Sequence, residues 1–173
     1  MFLQCESSKN AKMQTTEISE VVDDFNYDSL YTVEHEFVNN EFSGSPFAFE
    51  HVSVSIKEIA TTIEYKLYTN DYAEGRIDSI LLFGIKRSKL RLFKSPDKEI
   101  IIDALVAENF LPFKMDISIG MNKEQFGKIF NLSDTTLNSN SVFRTYHFTG
   151  VSETDLVFSE GTLKLIKFAA EID

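Results

Sequence analysis

The chain has 173 residues, with 27 Asp or Glu against 17 Lys or Arg and a formal net charge of −10. At 43% apolar and 25% charged residues, the composition is that of an ordinary globular chain of about one domain. The acidity argues against sequence-independent nucleic-acid binding, which needs net positive charge to displace counterions. No run approaches the ~20 apolar residues of a membrane-spanning helix. The single cysteine, Cys5, excludes an intramolecular disulfide framework and any multi-cysteine zinc site.

The charge is concentrated at the start, where residues 1–50 hold ten acidic residues and two basic ones. Residues 1–29 are polar, acidic and without sustained periodicity, and read as an arm or tether. A solvated amphipathic helix around Ile18, Val21 and Val22 is the alternative there. Phe2-Leu3-Gln4-Cys5 before this arm resembles the end of a bacterial lipoprotein signal, with Gln4 where a small residue is usual. The resemblance implies lipidation at Cys5 in the native precursor; a free thiol in a cytoplasmic chain is the alternative.

From residue 30 to 173 the pattern predicts one globular domain. Tyr31 to Phe37 alternates, with Val33, His35 and Phe37 on one strand face and Glu34 and Glu36 on the other. Asn39 to Pro46 is rich in turn formers. Ile56, Ile59, Ala60 and Ile63 fall at i, i+3, i+4 and i+7 and predict a short helix. Strands are expected over Arg76–Ile85, Ser88–Phe93 and Glu99–Ala107, with Pro96 in the second connection. A second helix should open at the cap Asn122, with Gln125 three residues on, and end near Asn131 and Ser133-Asp134. Strands Val142–Thr149, Thr154–Ser159 and Thr162–Phe168 should follow, the last two joined by a Glu160-Gly161 hairpin. Helices are too sparse for parallel crossover units, so the sheet should be antiparallel.

Short matches recur at a fixed offset. Val52-Ser53-Val54-Ser55-Ile56 parallels Ile117-Ser118-Ile119-Gly120-Met121, Leu90-Arg91-Leu92-Phe93 parallels Leu156-Val157-Phe158, and Ala107-Glu108 parallels Ala170-Glu171. The offsets are 63–66 residues and the order is kept, which suggests repeat halves at about 50–110 and 115–173. Gly120-Met121-Asn122-Lys123-Glu124-Gln125-Phe126 resembles the helix-opening signature of β-lactamase inhibitory protein-like domains and of the small lipoprotein of the outer-membrane β-barrel assembly machinery. Phe158-Ser159-Glu160-Gly161-Thr162-Leu163 resembles the hairpin that follows in those families. The resemblance implies an α+β fold of two tandem helix-plus-antiparallel-sheet repeats, used as a binding or scaffolding module in the cell envelope. It carries over no catalytic residue.

The residues offer little chemistry of their own. Glycine-rich phosphate loops, a Gly-x-Ser-x-Gly elbow and a His-Glu-x-x-His zinc motif are all missing from the sequence. His35, His51 and His147 lack short metal-ligand spacings and fit structural or interfacial roles better. No catalytic residue, metal or cofactor is expected. Lys86, Arg87, Lys89, Arg91, Lys94 and Lys98 place six cations in thirteen residues. They read either as an anion-binding patch or as a cationic edge strand that resists aggregation, the second being the commoner outcome. Strands around Ile80–Ile85, Ile100–Leu105 and Leu163–Phe168 carry apolar residues on both faces. Internal cover, a bulge or a bound partner would each account for that.

The resulting expectation is a non-enzymatic, lipid-anchored envelope protein that binds a protein or envelope component through its sheet. Candidate residues of the interaction face are Lys89, Arg91, Arg144, Tyr146 and His147. A protein partner is expected, with no nucleic acid and membrane contact only through the lipid; the oligomeric state stays open. A soluble inhibitor or immunity-type protein neutralising a cationic partner is the alternative function, with the cytoplasm as the alternative location, and a small hydrolase or ligand carrier comes third.

Overall fold

The computed structural model describes residues 31–48, 56–69 and 77–171. The acidic arm with Cys5, the segment around His51 and Val52, and the 70–76 connection lie outside the described residues.

Eight strands form one sheet, β1 (His35–Val38), β2 (Thr62–Thr69), β3 (Ile77–Ile85), β4 (Ser88–Lys94), β5 (Glu99–Val106), β6 (Val142–Tyr146), β7 (Ser152–Ser159) and β8 (Thr162–Ala170). Their spatial order is β1-β6-β7-β8-β5-β4-β3-β2. Every pairing is antiparallel except β1 with β6, which is parallel. The fold is therefore α+β around a mostly antiparallel sheet. The α-helices named among the described residues are short: α1 (Asn40–Gly44), α2 (Lys123–Phe130) and α3 (Asp134–Ser139). Phe42 of α1, Phe126 of α2 and Leu137 of α3 all enter one apolar core with Phe83, Leu90, Leu92, Phe143, Leu156 and Leu163 from the sheet. The helices thus cover one face of the sheet, which we call the inner face.

The predicted helix over 56–63 is not formed. Residues 56 and 57 are helical, but the amides of Ile59 and Ala60 close a turn on the Ile56 carbonyl and the chain then enters β2. Ile56 is buried, but Ile59 and Ile63 are exposed, and Ile63 lies in the strand. Thr62-Ile63-Glu64-Tyr65-Lys66-Leu67 alternates with period two and is rich in β-branched and aromatic residues, which favours strand over helix. Two further helices appear where the pattern suggested turns. Asn39 caps α1 by accepting from the Phe42 amide at 2.9 Å, and Ser133 caps α3 by accepting from the Thr136 amide at 3.1 Å. Both are polar residues doing the N-cap's job of satisfying an end amide.

The α2 boundaries fall as the residues predict. Asn122 accepts from the Gln125 amide at 2.8 Å, and Asn131 closes the helix in the left-handed region at φ 53° and ψ 44°. Phe126 is fully buried, its ring centroid 5.0 Å from those of Phe143 and Phe158 and 4.9 Å from that of Phe130. The β7–β8 turn is the two-residue Glu160-Gly161 hairpin, both residues at positive φ.

Bulges explain the apolar residues that fall on both faces of β5 and β8. Arg91 pairs with Asp103 but Leu92 with Ile101, so Ile102 is the extra residue on β5. Val157 pairs with Leu165 but Phe158 with Leu163, so Lys164 is the extra residue on β8. The shift places Ile101 and Ala104, or Leu163 and Ile166, on the same inner face despite their odd spacing.

Candidate functional site: the charged outer face of the sheet

Residues paired across neighbouring strands project on the same side, so the register defines the outer face row by row. One row runs Glu36, Arg144, Asp155, Lys167, Leu105, Lys89, Gly84 and Thr62 across all eight strands. The next runs Val38, Tyr146, Glu153, Ala169, Asp103, Arg91, Leu82 and Glu64. Four of the expected residues, Lys89, Arg91, Arg144 and Tyr146, therefore lie on this one face. Lys89 and Arg144 are four strand spacings apart, about 19 Å, so the face is a broad surface and not a single pocket.

His147 does not join them. It follows Tyr146 just beyond β6, turned towards α1, where its Cδ2 would lie 3.5 Å from a β-carbon placed on Gly44. Its Nδ1 is 2.8 Å from the Thr149 hydroxyl, a local contact. His35 packs edge-on to Phe143 at 6.0 Å between ring centroids, a structural position.

The anchor of the outer face is a cluster on β6 and β7. The Arg144 guanidinium grips Asp155 through two parallel hydrogen bonds, Nε to Oδ1 at 2.6 Å and Nη2 to Oδ2 at 2.8 Å. Its Nη1 lies 3.1 Å from the Glu153 carboxylate. The hydroxyl of Tyr31 donates to Asp155 Oδ2 at 3.0 Å, so the segment before β1 reaches the same carboxylate. The hydrogen bond to Asp155 is the main cause holding the Arg144 guanidinium well above its ordinary range, against the opposing effect of partial burial. This residue is a permanent cation. The carboxylates around it were not predicted, although Glu153-Thr154-Asp155-Leu156 alternates and could have marked Asp155 as sharing a face with Glu153.

The basic run of β4 and its turns is largely neutralised by its own neighbours. Lys86 and Arg87 both reach Glu108, at 3.3 and 3.5 Å. Arg91 meets Asp103 at 2.8 Å, Lys94 meets Glu99, and Lys98 sits 5.8 Å from the Phe93 ring centre. The edge-strand reading fails too, because β4 lies inside the sheet between β5 and β3. These cations hold hairpins and cross-strand pairs together.

The two motifs behind the family resemblance are in direct contact. Gly120 donates to the Leu163 carbonyl at 2.7 Å, Leu163 to that of Met121 at 2.8 Å, and Lys123 to that of Gly161 at 3.0 Å. The start of α2 is thereby fastened to the β7–β8 hairpin. Among the described residues, no group of three or more His, Cys, Asp or Glu is placed to hold a metal ion. No helix there is long and apolar enough to cross a membrane. Comparison with protein-family models, curated proteins and solved structures finds no match to this chain.

Proposed function

We propose that this is a non-enzymatic cell-envelope protein, anchored through a lipid on Cys5, that binds a protein or other envelope component through the outer face of its sheet. The observation that carries the reading is the face itself. It spans eight strands with Glu36, Arg144, Asp155 and Lys167 alternating in charge on neighbouring strands and Lys89 beyond Leu105, while α1, α2 and α3 pack on the opposite side. Charged side chains fixed by one another in a sheet present a preset pattern of charge, which favours specific protein recognition over enzymatic turnover.

We further propose that the fold is a tandem repeat related to β-lactamase inhibitory protein-like domains. In support, β3-β4-β5 and β6-β7-β8 are both antiparallel three-stranded meanders that meet through β5 and β8. Their bulges fall at Arg91/Leu92 and Val157/Phe158, 66 residues apart, within the 63–66 range of the sequence matches. Before the meander the second half carries α2 and α3, and in the first half residues 56 and 57 are helical among the described residues.

A soluble inhibitor or immunity-type protein is the second reading, favoured by the ten acidic and two basic residues of the first fifty, which suit a cationic partner. Metabolic labelling with a clickable fatty acid separates the two. Expressed from its native start in a bacterial host, the wild type should carry label and fractionate with membranes, and Cys5→Ser should lose both. An unlabelled wild type in the soluble fraction would reject the envelope reading in favour of the second.

A further inference from the structure

Tyr31 precedes β1, yet its hydroxyl bonds Asp155 on β7, on the far side of β6. Asp155 projects from the outer face, so the Tyr31 hydroxyl lies over that face, two strand spacings or about 10 Å in from β1. Residues 1–30 lie outside the described residues, and this is where they join the fold. The two outer-face rows carry a second signal. From β6 through to β3 each of their residues is half-buried or buried, whereas Glu36 and Val38 on β1 and Thr62 and Glu64 on β2 are exposed. Leu105, between Lys167 and Lys89, is 6% exposed, and Asp155 is 1% exposed. On the solvent side of α2, by contrast, the Lys128 and Glu124 side chains are 72% and 77% exposed. A sheet face in open water should leave its long charged side chains comparably exposed. The cover does not come from α1, α2 or α3, which all pack on the other face.

We propose that residues 1–29 seat on the outer face over β7, β8, β5 and β4, as an internal occupant that a partner must displace. The inference rests on the reading of this face as the binding surface. Fully extended, such a segment reaches about 95 Å, while eight strands span only about 34 Å, so it can cross the whole face from Tyr31. Its composition suits the surface. It holds six acidic residues and two basic ones, and Val21-Val22 is followed directly by Asp23-Asp24. The face presents Leu105 with Lys167 and Lys89 on either side. An apolar pair followed by two carboxylates thus meets an apolar spot bordered by two cations, which is favourable both in burial and in sign of charge. Because the segment is tied to the fold, its effective concentration is about millimolar and weak contacts suffice to hold it. A partner that recognises the same charges competes with it, so the segment sets the affinity a partner must exceed.

The test is zero-length carbodiimide coupling of the full wild-type chain at low concentration, with isopeptide links mapped by mass spectrometry in the monomer band. Lys89 and Lys167 should be joined to acids of residues 1–29, Asp23 and Asp24 foremost. Lys128 should couple to its neighbour Glu124 instead. In the full-length variant Asp23→Lys with Asp24→Lys those links should be lost. Acetylation of Lys89 and Lys167 should quicken several-fold in that variant, with Lys128 unchanged. Links from Lys89 and Lys167 to Asp103 or Asp155 alone, or acids of residues 1–29 joined to Lys128 as often as to Lys89, would overturn the docking. In cells, a benzophenone amino acid at Tyr146 should capture more partner in the variant than in the wild type, and equal yields would overturn the competition. A lack of partner adducts from both chains would reject the partner-binding reading and the competition with it, while the isopeptide links of the purified chain still decide the docking.

Discussion

Replacing Arg144 by Met removes a cation bonded to a carboxylate that has almost no access to water. The side chain of Asp155 is 1% exposed and that of Arg144 is 23% exposed. The variant loses both charge-assisted bonds, at 2.6 and 2.8 Å, and leaves Asp155 the Tyr31 hydroxyl at 3.0 Å. Breaking a buried pair from one side costs about 3–5 kcal/mol, because the remaining charge stays desolvated and uncompensated. Asp155→Asn should cost less, about 1–3 kcal/mol, since Arg144 keeps Glu153 at 3.1 Å and some solvent. The double variant should lose less than the sum of the two, with a coupling of about 2 kcal/mol. The chain has no Trp, so urea unfolding is best followed by circular dichroism, with the denaturant slope held constant as a check on two-state behaviour. An Arg144→Met cost below about 1 kcal/mol, or strict additivity, would refute the reading of this cluster as the anchor of the outer face.

Four other outcomes follow from single positions. Phe126→Ala should cost about 3–5 kcal/mol in the same unfolding assay, because its fully buried ring meets Phe130, Phe143 and Phe158. Gly127→Ala should destabilise by about 1–2 kcal/mol despite the better helix propensity of Ala, since its β-carbon would fall 2.2 Å from Leu137 Cδ1 and force that buried side chain aside. Thr154→Val should be neutral or stabilising by up to about 1 kcal/mol, because the buried Thr154 hydroxyl has no hydrogen-bond partner among the described residues. Finally, the Lys128 ammonium, 2.6 Å from Glu124 one helical turn away, holds that carboxyl below its usual range. In Lys128→Ala the Glu124 titration followed by NMR should move up towards the ordinary Glu value, so the carboxylate is lost at a higher pH than in the wild type.

The strands of both meanders were legible because their residues alternate and their turns carry the right chemistry. Glu160-Gly161 supplies the positive φ of a two-residue hairpin, and Asn122 and Asn131 supply the two ends of α2. The first half was harder to read, since Ile56, Ile59, Ala60 and Ile63 satisfy a helical period while Ile63, Tyr65 and Leu67 satisfy a strand period over the same stretch. The strand prevails there because it can hydrogen-bond to β3 along its whole length, which is a tertiary gain that no local pattern reports. The parallel pairing of β1 with β6 joins segments more than a hundred residues apart and has no local signal. The outer face was partly legible. Arg144, Tyr146, Lys89 and Arg91 could be placed on strand faces, but Asp155, Asp103 and Glu36 became their neighbours only through the register. The run of cations in β4 misled for the same reason, since Glu108, Asp103 and Glu99 neutralise it from other positions in the chain.

The measurement that bears most directly on the proposed function is in-cell photocross-linking from the two sides of the sheet. A benzophenone amino acid would be placed at Lys89, Tyr146 or Lys167 on the outer face, and at Lys128 on the exposed side of α2 as the opposing control. Irradiation of cells expressing the full chain from its native start should give higher-mass adducts in the envelope fraction from the outer-face positions and none from Lys128. Adducts from Lys128 alone, or none from any outer-face position, would contradict binding through this face.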